Sequence, residues 1–260
     1  MATSSGLHIT LASERLLTVA GFPITNAMLT MWLVMLTLFV LALIVRRNVN
    51  IIPGKVQNIA EMGYELVYGY MMQTLGDKRM VDRYLPLIAS IFFFMLFSNV
   101  FDLLPIFGTF TFANGEGTVP LFHEVNADLN TPLAFAIIAF LVVELSGIFT
   151  LGVLKYGSKF VNFKGGAMGF IIGLLEIIGD LARLVSLSFR LFGTIFAGEV
   201  LLLVIGYFVP YILPVPLMAF ELFIGVLQAA IFAILTLAYI KLAIEEPHGG
   251  GHAHEEAYAQ

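Results

Sequence analysis

The two longest apolar stretches of this chain of 260 residues carry Glu176, Asp180, Arg183, Arg190, Glu199 and Glu221 among their apolar residues. Glu144 lies in a third apolar stretch, and Asp128 stands at its start. A charged side chain at mid-membrane costs about 2.5–3.5 kcal/mol on insertion scales, so residues kept there face protein or water and mark ion pathways by default. The residue types suit that chemistry. Arginine stays charged even when partly desolvated, so it repels protons and holds a carboxylate brought beside it. A buried carboxylate titrates closer to working pH and can relay protons.

Spacing sorts these groups. At about 100° per residue, Asp180 falls about 40° from Glu176, with Arg183 and Arg190 near 340° and 320°. The four share one stripe, continued by Gly193, Thr194 and Ala197. Glu199 lies half a circle from Arg190 and about 13.5 Å along the axis. Glu176 and Asp180 are therefore expected toward one membrane surface and Glu199 toward the other. Gly193, Ala197 and Gly198 leave room for another helix to approach closely. The plain alternative is that Arg190 only pairs with a carboxylate of its own chain. Carboxylates on both sides of it, and an over-long helix, weigh against that.

The elements carrying these groups are membrane spans. Hydrophobic residues make up 59% of the chain, charged residues 12%, and the mean hydropathy is +0.94. A soluble domain carries roughly 25% charged residues, and half that proportion cannot cover a water-facing surface. By the rule of ~20 apolar residues per span, the first runs from Ala27 to Val45 and stops at Arg46–Arg47. A mixed segment from Asn48 to Arg83 reads as an amphipathic helix at the interface. The second span covers Tyr84 to Leu104 and the third Leu129 to Leu154, joined by a loop over 107–126. One apolar helix pattern then runs from Ala167 to Phe208, and a second from Pro216 to Ile244, with Pro210, Pro214 and Pro216 between them. A helix of the first length measures ~63 Å, against ~30 Å of hydrocarbon. With no internal proline it must tilt strongly, and something beside it must hold the tilt.

The expected fold is therefore an all-α polytopic membrane protein of about five membrane helices plus an interfacial helix. It divides into an outer segment over 1–26, one membrane domain over 27–246 and a tail over 247–260. Residues 46–83 carry Arg46, Arg47, Lys55, Lys78, Arg79 and Arg83, and the next turn on that side carries Lys155, Lys159 and Lys164. The positive-inside rule then puts the N-terminus outside and the C-terminus inside. His248, His252 and His254 read as part of a solvated tail rather than a metal site. With no cysteine, disulfides and thiolate metal sites are excluded. No basic run suggests nucleic acid, and no basic start, apolar core and cleavage site suggest a removed signal peptide. No Walker A sequence or Gly-rich phosphate loop opens a helix, so no cofactor or metal is expected.

The segment Ser186-Leu187-Ser188-Phe189-Arg190-Leu191-Phe192-Gly193-Thr194-Ile195-Phe196-Ala197-Gly198-Glu199 resembles the signature of subunit a of the F-type ATP synthase. Leu227-Gln228-Ala229-Ala230-Ile231-Phe232 with Tyr239 and Glu245-Glu246 is similar to that family's last helix. Asp128-Leu129-Asn130-Thr131-Pro132-Leu133, and Asn99 with Leu103-Leu104-Pro105, match further blocks, so the resemblance covers roughly residues 50–246 in order. It implies a non-catalytic stator subunit beside a rotating c-subunit ring, the ring being the surface along which the two long helices tilt. Subunit b, other ATP synthase subunits and membrane lipid are the further implied partners. The implied place is a bacterial inner membrane or the mitochondrial equivalent. Arg190 would face the ring's ion-carrying carboxylate. Glu199, Glu221, Gln228, Asp128, Asn130 and Thr194 would belong to an outer proton path, and Glu176 and Asp180 to an inner one.

Two positions depart from the family pattern. Thr194 stands where Asn is usual, which keeps an oxygen and loses the amide donor. Glu221 falls where many members carry His, which moves the reference pKa from about 6.5 to about 4.3. A stand-alone secondary transporter is the competing class, but such folds show internal repeats and broken helices. Neither is evident here.

Overall fold

The computed structural model describes residues 13, 15–19, 22–47, 49–103, 110–114, 117–153, 156–157, 166–209 and 212–245. The tail over 247–260, Lys155, Lys159, Lys164 and Pro210 lie outside the described residues, as do most of 1–26 and part of the 107–126 loop. Six long helices carry the fold: α1 (Asn26–Arg47), α2 (Lys55–Leu75), α3 (Lys78–Asp102), α4 (Asn130–Leu151), α5 (Gly166–Phe208) and α6 (Pro214–Ile244). Two short hairpins accompany them. Strand β1 (Arg15–Val19) pairs antiparallel with β2 (Phe22–Thr25) just before α1, and β3 (Thr111–Asn114) with β4 (Gly117–Pro120) between α3 and α4. All helices but α2 are long and apolar enough to cross a membrane, so the chain is a multi-pass membrane protein.

Helix ends follow local chemistry. The mixed segment that reads as one interfacial stretch to Arg83 splits at Gly76, whose φ of 71° suits glycine and closes α2. Asp77 then caps α3, its side chain accepting from the Arg79 N–H at 3.0 Å. The second spanning helix thus begins at Lys78, six residues before the apolar run expected from Tyr84. Its first turns carry Lys78, Arg79, Asp82 and Arg83, which hydropathy alone discounts. Gly152, at φ 84°, stops α4 at Leu151 rather than Leu154. Helix α5 spans 43 residues, or about 65 Å.

The helices share three buried clusters. Val67 and Met71 of α2, Val81, Tyr84 and Ile88 of α3, and Leu237 and Ile240 of α6 form the first. Ile91 and Met95 of α3, Ala136 and Ala139 of α4, Leu187, Leu191 and Ile195 of α5, and Phe232 of α6 form the second. Val34, Phe94 and Val125 form the third. Gly198 of α5 meets Glu221 of α6, and Arg183 of α5 lies over Tyr239 of α6. Those contacts run in opposite sequence directions, so α5 and α6 form an antiparallel hairpin. Among the described residues of α5, Gly173, Asp180, Leu187, Ser188, Leu191 and Ile195 are buried. Ala182, Ser186, Arg190, Gly193, Thr194 and Ala197 are exposed.

Helices α3 and α6 touch closely at Gly225. Its carbonyl accepts a hydrogen bond from Asn99 Nδ2 at 2.8 Å, and a Cβ on Gly225 would lie 2.8 Å from Asn99 Cβ. That neighbour is fixed to backbone and cannot swing aside. Gly225→Ala should therefore destabilise the detergent-solubilised protein by about 1–3 kcal/mol, measured as a fall in thermal midpoint. An unchanged midpoint would show that the two helices part at no cost.

Candidate functional site

The polar groups gather in two places, one at each end of the bundle. At the end where α3 finishes and α5 meets the α5–α6 turn, an amide chain links three elements. Asn126 Nδ2 donates to Asn99 Oδ1 at 2.6 Å, and Asn99 donates onward to Gly225. Beside this chain lies a polar pocket lined by Asn99, Asp102, Leu103, Glu124, Ile195 and Glu221, with ≈ 10 Å³ of room for a water centre. That is space for about one water. Both Asp102 carboxyl oxygens, Glu124 Oε2, Asn126 Oδ1 and Glu221 Oε2 are buried without a hydrogen-bond partner. Glu221 is 8% exposed and Gln228 4%.

Glu221 also borders a second space. A groove of ≈ 330 Å³ runs between α5 and α6, lined by Gly193, Thr194, Ala197, Gly198 and Phe220 among others, with Glu221 and Ile195 common to both spaces. One glutamate thus separates the buried polar pocket from the face of α5 that carries Arg190. Arg190 is exposed, and among the described residues it forms no salt bridge. The alternative in which it pairs with a carboxylate of its own chain gains no support from the geometry. Thr194 Oγ1 bonds back to its own helix, 2.8 Å from the Arg190 carbonyl and 3.1 Å from that of Leu191.

At the opposite end, Asp180 and Arg183 form an ion pair one turn apart on α5. The Arg183 guanidinium lies 5.6 Å from the Tyr239 ring centroid. Asp180, Arg183, Tyr239 and Glu144 line a common small pocket. Tyr156, in the α4–α5 connection, donates its hydroxyl to Glu144 Oε2 at 3.0 Å, and its ring lies directly against Gly147. Burial first, and then the bond to Glu144, push the Tyr156 phenol above its usual range, so it stays a donor. Glu176 lies one turn before Asp180, half-buried. The stripe read from the sequence divides here: Asp180 is 6% exposed and turned into the bundle, whereas Arg190 faces away from it.

Not every expected residue joins a cluster. Asp128 Oδ1 accepts from the backbone and side-chain nitrogens of Asn130, at 3.1 and 2.8 Å, and Asp128 Oδ2 from Ser13 Oγ at 2.5 Å. These two residues tie down the start of α4 and do not line the pocket around Glu221. Conversely, Asp102 and Glu124 were not among the sequence candidates. Asp102 lies one turn beyond Asn99 on α3, and that spacing was a usable signal. Glu124 sits in a Gly- and Pro-bearing loop, and only its neighbours Phe122 and Val125 hinted at burial.

The family model described as "ATP synthase A chain" matches residues 28–241. The chain belongs to that family. It is 36% identical to ATP synthase subunit a of Campylobacter jejuni subsp. doylei over 220 residues, covering 83% of this chain and 89% of the relative. It is 34% identical to ATP synthase subunit a 2 of Syntrophotalea carbinolica over 220 residues, covering 84% and 85%. The family match spans all five membrane-crossing helices, both polar clusters and the exposed arginine face.

Within this ATP synthase A chain member, Gly198 sets the position of Glu221. A Cβ there would fall 2.6 Å from Glu221 Oε1, the free end of a flexible side chain. Gly198→Ala should therefore fold and assemble at parental levels while displacing the carboxyl and slowing proton flow across the membrane several-fold. Parental flow in Gly198→Ala membranes would show that the placement of this carboxyl is not needed.

Proposed function

We propose that the chain is the proton-conducting stator of the Fo sector of an F-type ATP synthase. In this reading Arg190 faces the ion-carrying carboxylate of a rotating c-subunit ring. Glu221, with Glu199 and Gln228, brings protons from the outer side, and Glu176 and Asp180 release them on the inner side. The observation that supports it most is the position of Glu221 between the buried polar pocket and the groove beside the arginine face. A proton leaving the pocket through Glu221 would arrive beside Gly193, Thr194 and Ala197, small residues against which a ring helix can pack. The ring, a subunit b stator and the remaining synthase subunits are the proposed partners. The N-terminus is proposed to lie outside and the C-terminus inside, from the basic residues at 46–83.

Exposure of Arg190 on a face with no other exposed charge among the described residues fits a cation whose partner lies on another chain. Guanidinium keeps its proton when desolvated, whereas an ammonium can lose it. Arg190→Ala, →Gln and →Lys should each abolish proton-coupled ATP synthesis in membrane vesicles while the chain still co-purifies with the ring. Normal synthesis by Arg190→Ala vesicles would overturn the stator reading.

Two offset paths also differ in the side from which water enters. The natural chain has no cysteine, so single replacements report cleanly. Cysteines at Glu199 or Glu221 should react with membrane-impermeant thiol reagents from the outer side, and one at Glu176 from the inner side. Equal reaction from both sides at all three would describe a continuous pore instead.

A further inference from the structure

The loop after β4 turns back into the bundle. Val125, Asn126 and Ala127 are 0–1% exposed although they belong to no helix or strand. Irregular backbone entering a membrane bundle must be wrapped in protein or line water. Here it is pinned on both sides of Glu124. The His123 N–H donates to Thr30 Oγ1 of α1 at 3.3 Å, and Asn126 bonds Asn99 of α3. Glu124 is thereby held in the wall of the polar pocket, with Oε2 unpartnered. Independently of the loop, Glu221 presents its own unpartnered Oε2 from α6 to the same pocket while only 8% exposed. The charged groups that act on Glu124 are Asp102 of α3, Glu199 of α5 and Glu221 of α6, all acidic. Among the described residues, no lysine or arginine lines the pocket. Such a set cannot ionise together. Burial chiefly, and then these neighbours, push Glu124 well above the usual carboxylate range.

We infer that Glu124 is a proton-carrying residue of the outer path, receiving protons from outside water and delivering them across the pocket to Glu221. Each transfer balances: one proton arrives on the Glu124 carboxylate, and one leaves it through Asp102 or the pocket water. Glu221 gains that proton as its own departs toward the Arg190 face. The inference rests on the stator reading and extends its outer path into the α3–α4 loop.

The test uses the assembled synthase in membrane vesicles, with passive proton flow measured from pH 6 to 9 and normalised to ring-associated chain. Glu124→Gln should slow flow on the order of tenfold, less than a positioned proton carrier's full contribution because Asp102 remains in the pocket. It should also remove an inflection lying above the usual carboxylate range. Glu124→Asp, with the carboxyl drawn back by one methylene, should keep an inflection at a moved pH. A purely structural role would lower assembly and leave the pH profile of the assembled fraction unchanged. If Glu124→Gln does not assemble, Glu124→Asp decides alone: a moved inflection upholds the inference, and a parental profile overturns it. Arg190→Ala runs in parallel. If it is inactive while Glu124→Gln matches the parent in rate and profile, only the role of Glu124 falls; if it is fully coupled, the stator reading beneath falls with it.

Discussion

Carboxylates inside a helix bundle must find a cation, a donor, water or a proton, and the two ends of this molecule meet that requirement differently. At the Tyr239 end, Asp180 has Arg183 and Glu144 has the Tyr156 phenol. At the Glu221 end, Asp102, Glu124 and Glu221 keep oxygens without partners around a pocket for about one water. Along α5 the two sets are separated by Leu187 and Leu191, and along α6 by Phe232 and Ala229, all 4% exposed or less and all in one apolar cluster. Buried polar side chains, Ser188 of α5 and Gln228 and Thr236 of α6, are interspersed with these apolar ones, so the two polar ends are separated by mostly apolar packing rather than by a fully apolar layer.

Glycine is used in one recurring way. Gly198 receives Glu221, Gly225 receives Asn99 and Gly147 receives Tyr156. In each case the missing Cβ admits a polar side chain from a different element against helix backbone. Small residues in membrane helices commonly let two backbones approach. Here the space instead fixes where a carboxyl, an amide and a phenol sit, so polar geometry is set by close packing rather than by polar partners alone.

Much of this was legible in the sequence, and the failures have definite causes. The length of α5 and its hairpin with α6 follow from uninterrupted apolar runs separated by a proline-bearing turn. The single stripe from Glu176 to Arg190 did not hold because its members span about 80° of the helix circumference. The buried face of α5 is centred on the far side of Asp180 from Arg190, so Asp180 falls inside and Arg190 outside. Asp128 and Asn130 bond each other at a helix start, an arrangement that residue type alone does not reveal. Glu124 was invisible for the opposite reason. Hydropathy sees a loop, and only tertiary structure turns that loop inward.

Thr194 shows how one substitution alters the open face. Its hydroxyl is spent on the carbonyls of Arg190 and Leu191, a back-bond that serves the helix rather than a visitor. An amide in its place would have nitrogen and oxygen to offer outward; a threonine so engaged offers its methyl group. With Gly193 and Ala197 beside it, the turn after Arg190 is smooth and nearly without donors. Ser186, one turn before Arg190, is exposed and polar as well, and the guanidinium is the exposed charge among the described side chains of α5. Phe192 and Phe196, stacked with ring centroids 5.4 Å apart, lie on the flank of the same turns and are half-buried. A cation among small residues and flanked by aromatic rings would select a partner by charge and by steric fit, while the buried hydrogen-bonding groups, Asn99, Asp102, Glu124 and Glu221, line the pocket behind it.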